Sequence, residues 1–258
     1  MNPQALIDDI IHLARQAGDA ILPWFRSDQL VTEHKADDSP VTNADIAANK
    51  VILKGLKALT PDIPILSEES GHKPFAERRQ WQCYWLVDPL DGTREFVGGS
   101  PDFAVNIALV VDNEPVMGVI YAPVSGDCYW AVKGHGVFKN GQPIHTRKPS
   151  SPPLLAVSRH QSLSTLKSHL RDALDFEALA FGSASLKSCM VAEGVADAYV
   201  RIGPTGEWDT AASWAIVVEA GGAIVDLDGK PLTFNRSESL ENPNYGVLGQ
   251  LAAAQLFP

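Results

Sequence analysis

The sequence predicts a mixed α/β (α+β) fold, and three observations predict it. An amphipathic helix opens the chain, a meander of strands fills residues 103–138, and strands alternate with helices after residue 153.

Residues 3–25 place Leu6, Ile7, Ile10, Ile11, Ala14, Ala17, Ile21 and Leu22 on one stripe, which predicts a helix with one buried face. Gly18 is tolerated inside it at some cost. Residues 30–41, with Lys35, Asp37, Asp38 and Ser39-Pro40, are polar and read as a loop or short hairpin. Thr42-Asn43-Ala44-Asp45 then opens a second helix through Leu56, with Ala48, Val51, Ile52 and Leu56 on its apolar face. Thr-x-x-Asp resembles a capping box, so Asp45 has a structural role at hand, and a chemical role is compatible with it.

Pro61 to Leu66 reads as a short strand entering the acidic turn Ser67-Glu68-Glu69-Ser70-Gly71. Adjacent glutamates on a loop are ordinarily just solvated. Their position at a strand end, shortly before another acidic turn, singles them out. Tyr84 to Val87 is an apolar run of interior-strand type, and Asp88 falls where that strand ends. Pro89 holds Asp88 extended, and Asp91 follows after one tight turn. Two carboxylates so close cannot both ionise cheaply unless cations lie between them. Gly92 lets backbone approach a ligand, the Gly92 and Thr93 amides can point at an anion, and the Leu90 carbonyl is one more hard oxygen.

Three strands, Val105–Val111, Val116–Tyr121 and Cys128–Val132, are separated by Asn113-Glu114 and Ser125-Gly126-Asp127, an antiparallel meander closed by the turn Asn140-Gly141. Pro149-Ser150-Ser151-Pro152-Pro153 is the composition break. It divides the expectation into an α+β subdomain over 1–148, with most of the acidic candidates, and an α/β subdomain over 149–258. The second part reads as strand Leu154–Val157, a helix from about Ser164 to Leu174, a strand near Leu179, a helix over Ser185–Glu193 and strand Ala198–Val200. Glu207-Trp208-Asp209-Thr210 opens a helix that stops at Gly221-Gly222, where Asp209 has the ordinary reading of an N-cap. Strand Ala223–Leu227, an Asp228-Gly229 turn, a last strand and a last helix complete the chain.

Composition excludes several classes of function. Over 258 residues the chain is 45% hydrophobic and 20% charged, as globular proteins are, and is long enough for a large core. Its net charge of −10, with no basic run longer than Arg78-Arg79 or Arg147-Lys148, argues against a nucleic-acid surface. An acidic protein that handles phosphate must import cations, and metal ions are the obvious supply. Cys83, Cys128 and Cys189 are widely spaced with no C-x-x-C pair, as reduced cytoplasmic thiols are. Neither a signal peptide nor a stretch of about 20 apolar residues is evident, so no membrane span is expected.

Glu68, then Asp88-Pro89-Leu90-Asp91-Gly92-Thr93, then Trp208-Asp209, in that order, resemble the inositol monophosphatase superfamily of metal-dependent, lithium-sensitive phosphatases. The resemblance spans the chain and includes Asp45. It sharpens toward the branch of bacterial 3′(2′),5′-bisphosphate nucleotidases on Ser67-Glu68-Glu69, Tyr121-Ala122-Pro123-Val124, Ser158-Arg159, Ser185-Leu186-Lys187, Val191-Ala192-Glu193-Gly194 and Gly203-Pro204-Thr205. It implies a layered α-β-α-β-α sandwich and conversion of adenosine 3′,5′-bisphosphate to AMP and phosphate. By the same resemblance one Mg²⁺ is held by Glu68, Asp88 and the Leu90 carbonyl, a second by Asp88, Asp91 and Asp209, and a third, weaker ion sits near Glu68. Thr93 would orient the attacking water, with Asp45 as proton acceptor and Gly92 beside the phosphate. Lys187 and Arg201 are the candidates for the second phosphate or the ribose. Gly182-Ser183-Ala184-Ser185 carries one residue more than the branch's usual run, which leaves open whether Ser183 or Ser185 faces the nucleotide. Arg159 or His160 is likewise open. The resemblance further implies a cytoplasmic enzyme, with loose association at the inner membrane one option and the oligomeric state undetermined. A sugar monophosphatase on the same scaffold, or a noncatalytic metal-binding module, are the rival readings of the sequence.

Overall fold

The opening stripe forms helix α1 (Ile7–Ile21), shorter than expected because 3-10 turns at Pro3–Leu6 and Leu22–Trp24 flank it. Leu13 joins the buried stripe, whereas Leu22 is exposed. Gly18 is explained by close approach, since a Cβ there would lie 2.6 Å from the Tyr121 ring. The computed structural model describes residues 2–35, 40–172 and 174–258, so Asp37, Asp38 and Ser39 lie outside the described residues. The residues on either side form the hairpin option, β1 (Thr32–His34) paired antiparallel with β2 (Pro40–Thr42).

Helix α2 (Asn43–Leu59) follows, capped as its sequence predicts: Asp45 Oδ2 accepts from the Thr42 amide at 2.8 Å and the Thr42 hydroxyl at 2.6 Å. The strand expected over 61–66 is only β3 (Ile65–Ser67), and one helical turn, α3 (Phe75–Arg78), separates it from β4 (Cys83–Asp91). Strand β4 does not end at Asp88. It continues to Asp91 and leads into α4 (Thr93–Val97). Next come β5 (Ala104–Val111), β6 (Glu114–Ala122), β7 (Asp127–Val132), β8 (Gly136–Lys139) and β9 (Gln142–Pro143). The β5–β6 turn is centred on Asp112 and Asn113, at φ 50° and 64°, one residue earlier than predicted. Asn and Asp tolerate this left-handed conformation, and Glu114 belongs to β6.

The remaining elements are β10 (Leu154–Ser158), α5 (Leu163–Lys167), β11 (Glu177–Phe181), α6 (Ala184–Ala192), β12 (Ala198–Arg201), α7 (Glu207–Glu219), β13 (Ala223–Asp226), β14 (Tyr245–Leu248) and α8 (Ala253–Leu256). Helix α5 is much shorter than the expected 164–174. The Arg171 amide pairs with the Leu256 carbonyl at 2.8 Å, and its guanidinium with the Ala254 carbonyl at 2.6 Å, so the chain leaves the helical path to meet the C-terminal segment. Ala173, within that expected helix, lies outside the described residues.

Strands β3 to β9 form one sheet in sequence order, with β3 parallel to β4 and every later pair antiparallel. A second sheet has the order β11-β10-β12-β14-β13. Both faces of the first sheet are covered, which is why β5 is apolar on both faces except at Asn106. Val105, Ile107 and Leu109 face α1 and α2, while Ala104, Ala108 and Val110 face the layer of α6 and α7 between the sheets. A third cluster, including Leu166, Leu256 and Phe257, covers the outer face of the second sheet. The order is therefore α-β-α-β-α, as the resemblance implies.

Helix α7 lies unusually close to β6. A Cβ on Gly118 would stand 2.3 Å from the Ala212 carbonyl oxygen. Because that atom is backbone, the helix itself must move, and overpacking of this kind costs about 1–3 kcal/mol. Gly118→Ala is thus expected to lower the melting temperature by roughly 2–12 °C, given about 2–4 °C per kcal/mol at this size; an unchanged thermal melt would show that the layer is loosely packed.

Candidate metal centre

Between Asp88 and Asp91 the register slips. Asp88 stands opposite Asn106 and Asp91 opposite Ala104, so three steps on β4 match two on β5. This bulge has a consequence for chemistry. Residues three apart on a regular strand face opposite ways, whereas the extra residue turns Asp91 to the same face as Asp88. Helix α7 brings Asp209 to that face in its first turn, and one oxygen from each of Asp88, Asp91 and Asp209 lies within 4.8 Å of the others.

Each carboxylate is held differently. Asp88 Oδ1 accepts from the Leu90 amide at 2.9 Å, while its Oδ2 is buried with no hydrogen-bond partner. Asp91 Oδ2 accepts from the Ser183 hydroxyl, the Ser185 amide at 2.8 Å and the Ser185 hydroxyl at 2.5 Å, so it sits on the first turn of α6. Asp209 Oδ2 accepts from the Gly206 amide at 2.6 Å: Gly206 is the N-cap, and Asp209 is the third residue of the helix reaching back to it, not the N-cap its sequence suggests. Burial above all, then the charges of Glu68, Asp209 and Asp91, push the Asp88 carboxyl well above the usual range. Burial and then Asp91 and Glu68 do the same to Asp209. Three crowded carboxylates, one with an unused desolvated oxygen, fit a hard divalent cation.

Glu68 lines the same cavity but is not among those three. Lys35 Nζ lies 2.7 Å from its Oε1 and 2.5 Å from Glu69 Oε1, an ammonium across both glutamates that the polar loop gave no reason to expect. The Leu90 carbonyl accepts from the Thr93 hydroxyl at 3.1 Å, which also reaches Asp45 Oδ1 at 3.3 Å. Burial raises the Asp45 pKa. Gly92, at φ 94°, passes so near the Asp102 carbonyl that a Cβ would lie 2.9 Å from it.

The cavity holds about 1210 Å³ and extends from these carboxylates to Lys187 and Arg201. Lys187 is no solvated lysine: it is 2% exposed, donates to the Ser183 carbonyl at 2.5 Å and lies 4.9 Å over the Tyr199 ring. Burial pulls its pKa down to about 8. Arg201 donates to the Pro204 carbonyl at 3.1 Å and leaves its buried Nε without a partner. Of the two serines, Ser183 lines the cavity whereas Ser185 is wholly buried. Both hydroxyls donate to Asp91, and Ser183 Oγ also accepts from the Leu186 amide, an N-cap role that a Ser ahead of a helix could have signalled. His160 lines the cavity, 3.4 Å from Glu95 Oε1; Arg159 turns away to Asp102 and the Ser100 hydroxyl.

A five-layer sandwich whose strand β4 and helix α7 converge three aspartates is the arrangement of a known class, and the chain belongs to the inositol monophosphatase family, whose family model matches residues 2–256. Its similarity is more specific than that. It is 44% identical over 250 residues to the 3′(2′),5′-bisphosphate nucleotidase CysQ of Aggregatibacter actinomycetemcomitans, covering 95% of this chain and 92% of the relative. The protein of the same description from Escherichia coli K12 is 46% identical over 249 residues, covering 94% and 99%. The crystal structure of CysQ from Bacteroides thetaiotaomicron superposes with a TM-score of 0.80 at 36% identity, over 96% of this chain and 98% of that one. Among the described residues no helix is long and apolar enough to cross a membrane.

Proposed function

We propose that the chain is a Mg²⁺-dependent phosphatase that removes the 3′-phosphate of adenosine 3′,5′-bisphosphate, yielding AMP and phosphate. The observation that carries this is a cavity lined by Asp91, Asp209 and Glu68 together with two cationic side chains, Lys187 and Arg201, with Asp88 converging on the two aspartates. Its relatives' names supply the substrate class.

In this reading Asp88, Asp91, Asp209, Glu68 and the Leu90 carbonyl hold two Mg²⁺, with a third, weaker ion at Glu68. Lys35 must release Glu68 for that. Bound Mg²⁺ supplies an acidified water and charge neutralisation at the phosphate and leaving oxygens. The chain's own part is orientation and proton transfer. The attacking water would donate to Thr93 Oγ1, whose single hydrogen can turn from the Leu90 carbonyl to Asp45 Oδ1 when that carbonyl holds the ion, so the proton passes to a carboxylate that burial has made more basic. The Gly92 and Thr93 amides face the phosphate, and Lys187 and Arg201 receive the 5′-phosphate. A cytoplasmic site of action accords with three cysteines that form no disulfide.

Phosphate release from adenosine 3′,5′-bisphosphate, 3′-phosphoadenylyl sulfate and inositol 1-phosphate, each with Mg²⁺ and with EDTA, tests this directly. The nucleotide should be strongly preferred, and only with Mg²⁺. Lys187→Ala and Arg201→Ala should each raise KM for the bisphosphate by about tenfold, the scale of one lost charge-assisted contact. Equal turnover of inositol 1-phosphate would discard the nucleotide end and keep the metal centre.

A further inference from the structure

Asn106 on β5 is a polar side chain whose burial the contacts of the fold do not explain. It is 1% exposed, and neither its carboxamide oxygen nor its nitrogen has a hydrogen-bond partner. Buried amides in folded proteins are almost always satisfied, frequently by an internal water. Register fixes its place: Asn106 stands opposite Asp88 on β4 and Ile120 on β6, with the small residues Ala104 and Ala108 beside it on the same face. Opposed residues of an antiparallel pair hold their Cβ atoms about 4.5–5.5 Å apart, so carboxamide and carboxylate are within reach of one bridging water. Asp88 has the matching deficit, with Oδ1 on the Leu90 amide and Oδ2 on nothing. Ser213 is fully buried and its hydroxyl is also unpartnered. It lies one turn beyond Asp209 on α7, the helix packed over β4 and β5.

We propose that Asn106 is a positioning residue for Asp88: its N–H, through one buried water, holds the Asp88 lone pair that a cation does not use. The carboxylate is thereby fixed in one orientation before the cation arrives, and the Ser213 hydroxyl offers the water a third partner. This rests on reading Asp88 as a cation ligand. Partners of this kind behind a metal ligand change metal affinity by about 10–100-fold when removed.

The test is calorimetric titration of the intact protein with Mg²⁺ alone, together with the Mg²⁺ dependence of phosphate release. Asn106→Leu, nearly isosteric and unable to hydrogen-bond, should weaken Mg²⁺ binding by about 10–100-fold. Asn106→Ser, which leaves room for water and keeps a donor, should restore most of it. A merely structural asparagine would shift the thermal melt in EDTA and leave Mg²⁺ affinity alone, which overturns the proposal. Should the Leu variant not fold, the Ser variant and a crystal structure of the unaltered protein with Mg²⁺ decide: no water or direct bond joining Asn106 to Asp88 overturns it. A wild-type protein that binds no Mg²⁺ removes the metal reading itself, a different and distinguishable failure.

Discussion

Asp88→Asn lowers phosphate release from adenosine 3′,5′-bisphosphate by on the order of 10³-fold or more, the scale of losing one principal electrostatic group in an active site. The same change stabilises the cation-free protein. Asparagine keeps the carbonyl oxygen that accepts from the Leu90 amide, so β4 is undisturbed. What disappears is one charge from a crowded group of three, Asp88 and Asp91 buried and Asp209 half-buried, whose mutual repulsion and desolvation already raise the Asp88 and Asp209 carboxyls above their usual range. In EDTA the variant should therefore melt several degrees above the wild type, at about 2–4 °C per kcal/mol. The rise in melting temperature that Mg²⁺ gives the wild type should shrink or vanish. A variant that loses activity and also melts lower in EDTA would mean that Asp88 serves the fold, not a cation.

In EDTA, the stability of the wild type falls as pH rises from about 4 through 7. Asp88 and Asp209 are raised chiefly by burial, and Glu69 and Glu207 are raised by burial to about 7 each. An acid raised in the folded state keeps its proton after the unfolded chain has lost it. Its contribution is complete below the unfolded value near pH 4 and is lost as pH climbs through the folded value, by up to about 1.4 kcal/mol per pH unit per group. Asp197, paired with Arg147 and lowered to about 2, works the other way, but only below pH 4. Saturating Mg²⁺ should cancel the share of Asp88 and Asp209 and flatten the profile, most at high pH where the ion need not displace protons. Thermal melts at pH 5, 6, 7 and 8 with and without Mg²⁺ check it; an EDTA profile that rises with pH would contradict the burial of these groups.

The layers of the fold were legible because periodicity records burial. The apolar stripe of α1, the two-sided run of β5 and the Thr42–Asp45 cap each have a local signature, and each formed. The candidate site was legible in its carboxylates, Thr93 and the two cations Lys187 and Arg201, all but Asp45 and Asp88 lining one cavity, but not in how they meet. Their convergence depends on a bulge between Asp88 and Asp91, and the sequence shows Pro89 and Gly92 there without showing which way the extra residue turns Asp91. Lys35 lies 33 positions from Glu68, so no spacing rule joins them. The helix over 164–174 failed for a similar reason, because a long-range pairing with Leu256 overrode the local pattern.

In the proposed reading Asp91 does two jobs at once, since the hydroxyl and amide donors at the start of α6 close onto it as well. A descendant of this chain that abandoned the reaction would still need an acceptor there to keep that helix in register between the sheets. Persistence of this aspartate among distant descendants would thus be poor testimony that they still turn over a phosphate ester. Asp88 makes one direct bond to the fold, from the Leu90 amide, which an asparagine would accept equally well, so its replacement would mark the lineages where the chemistry has ended.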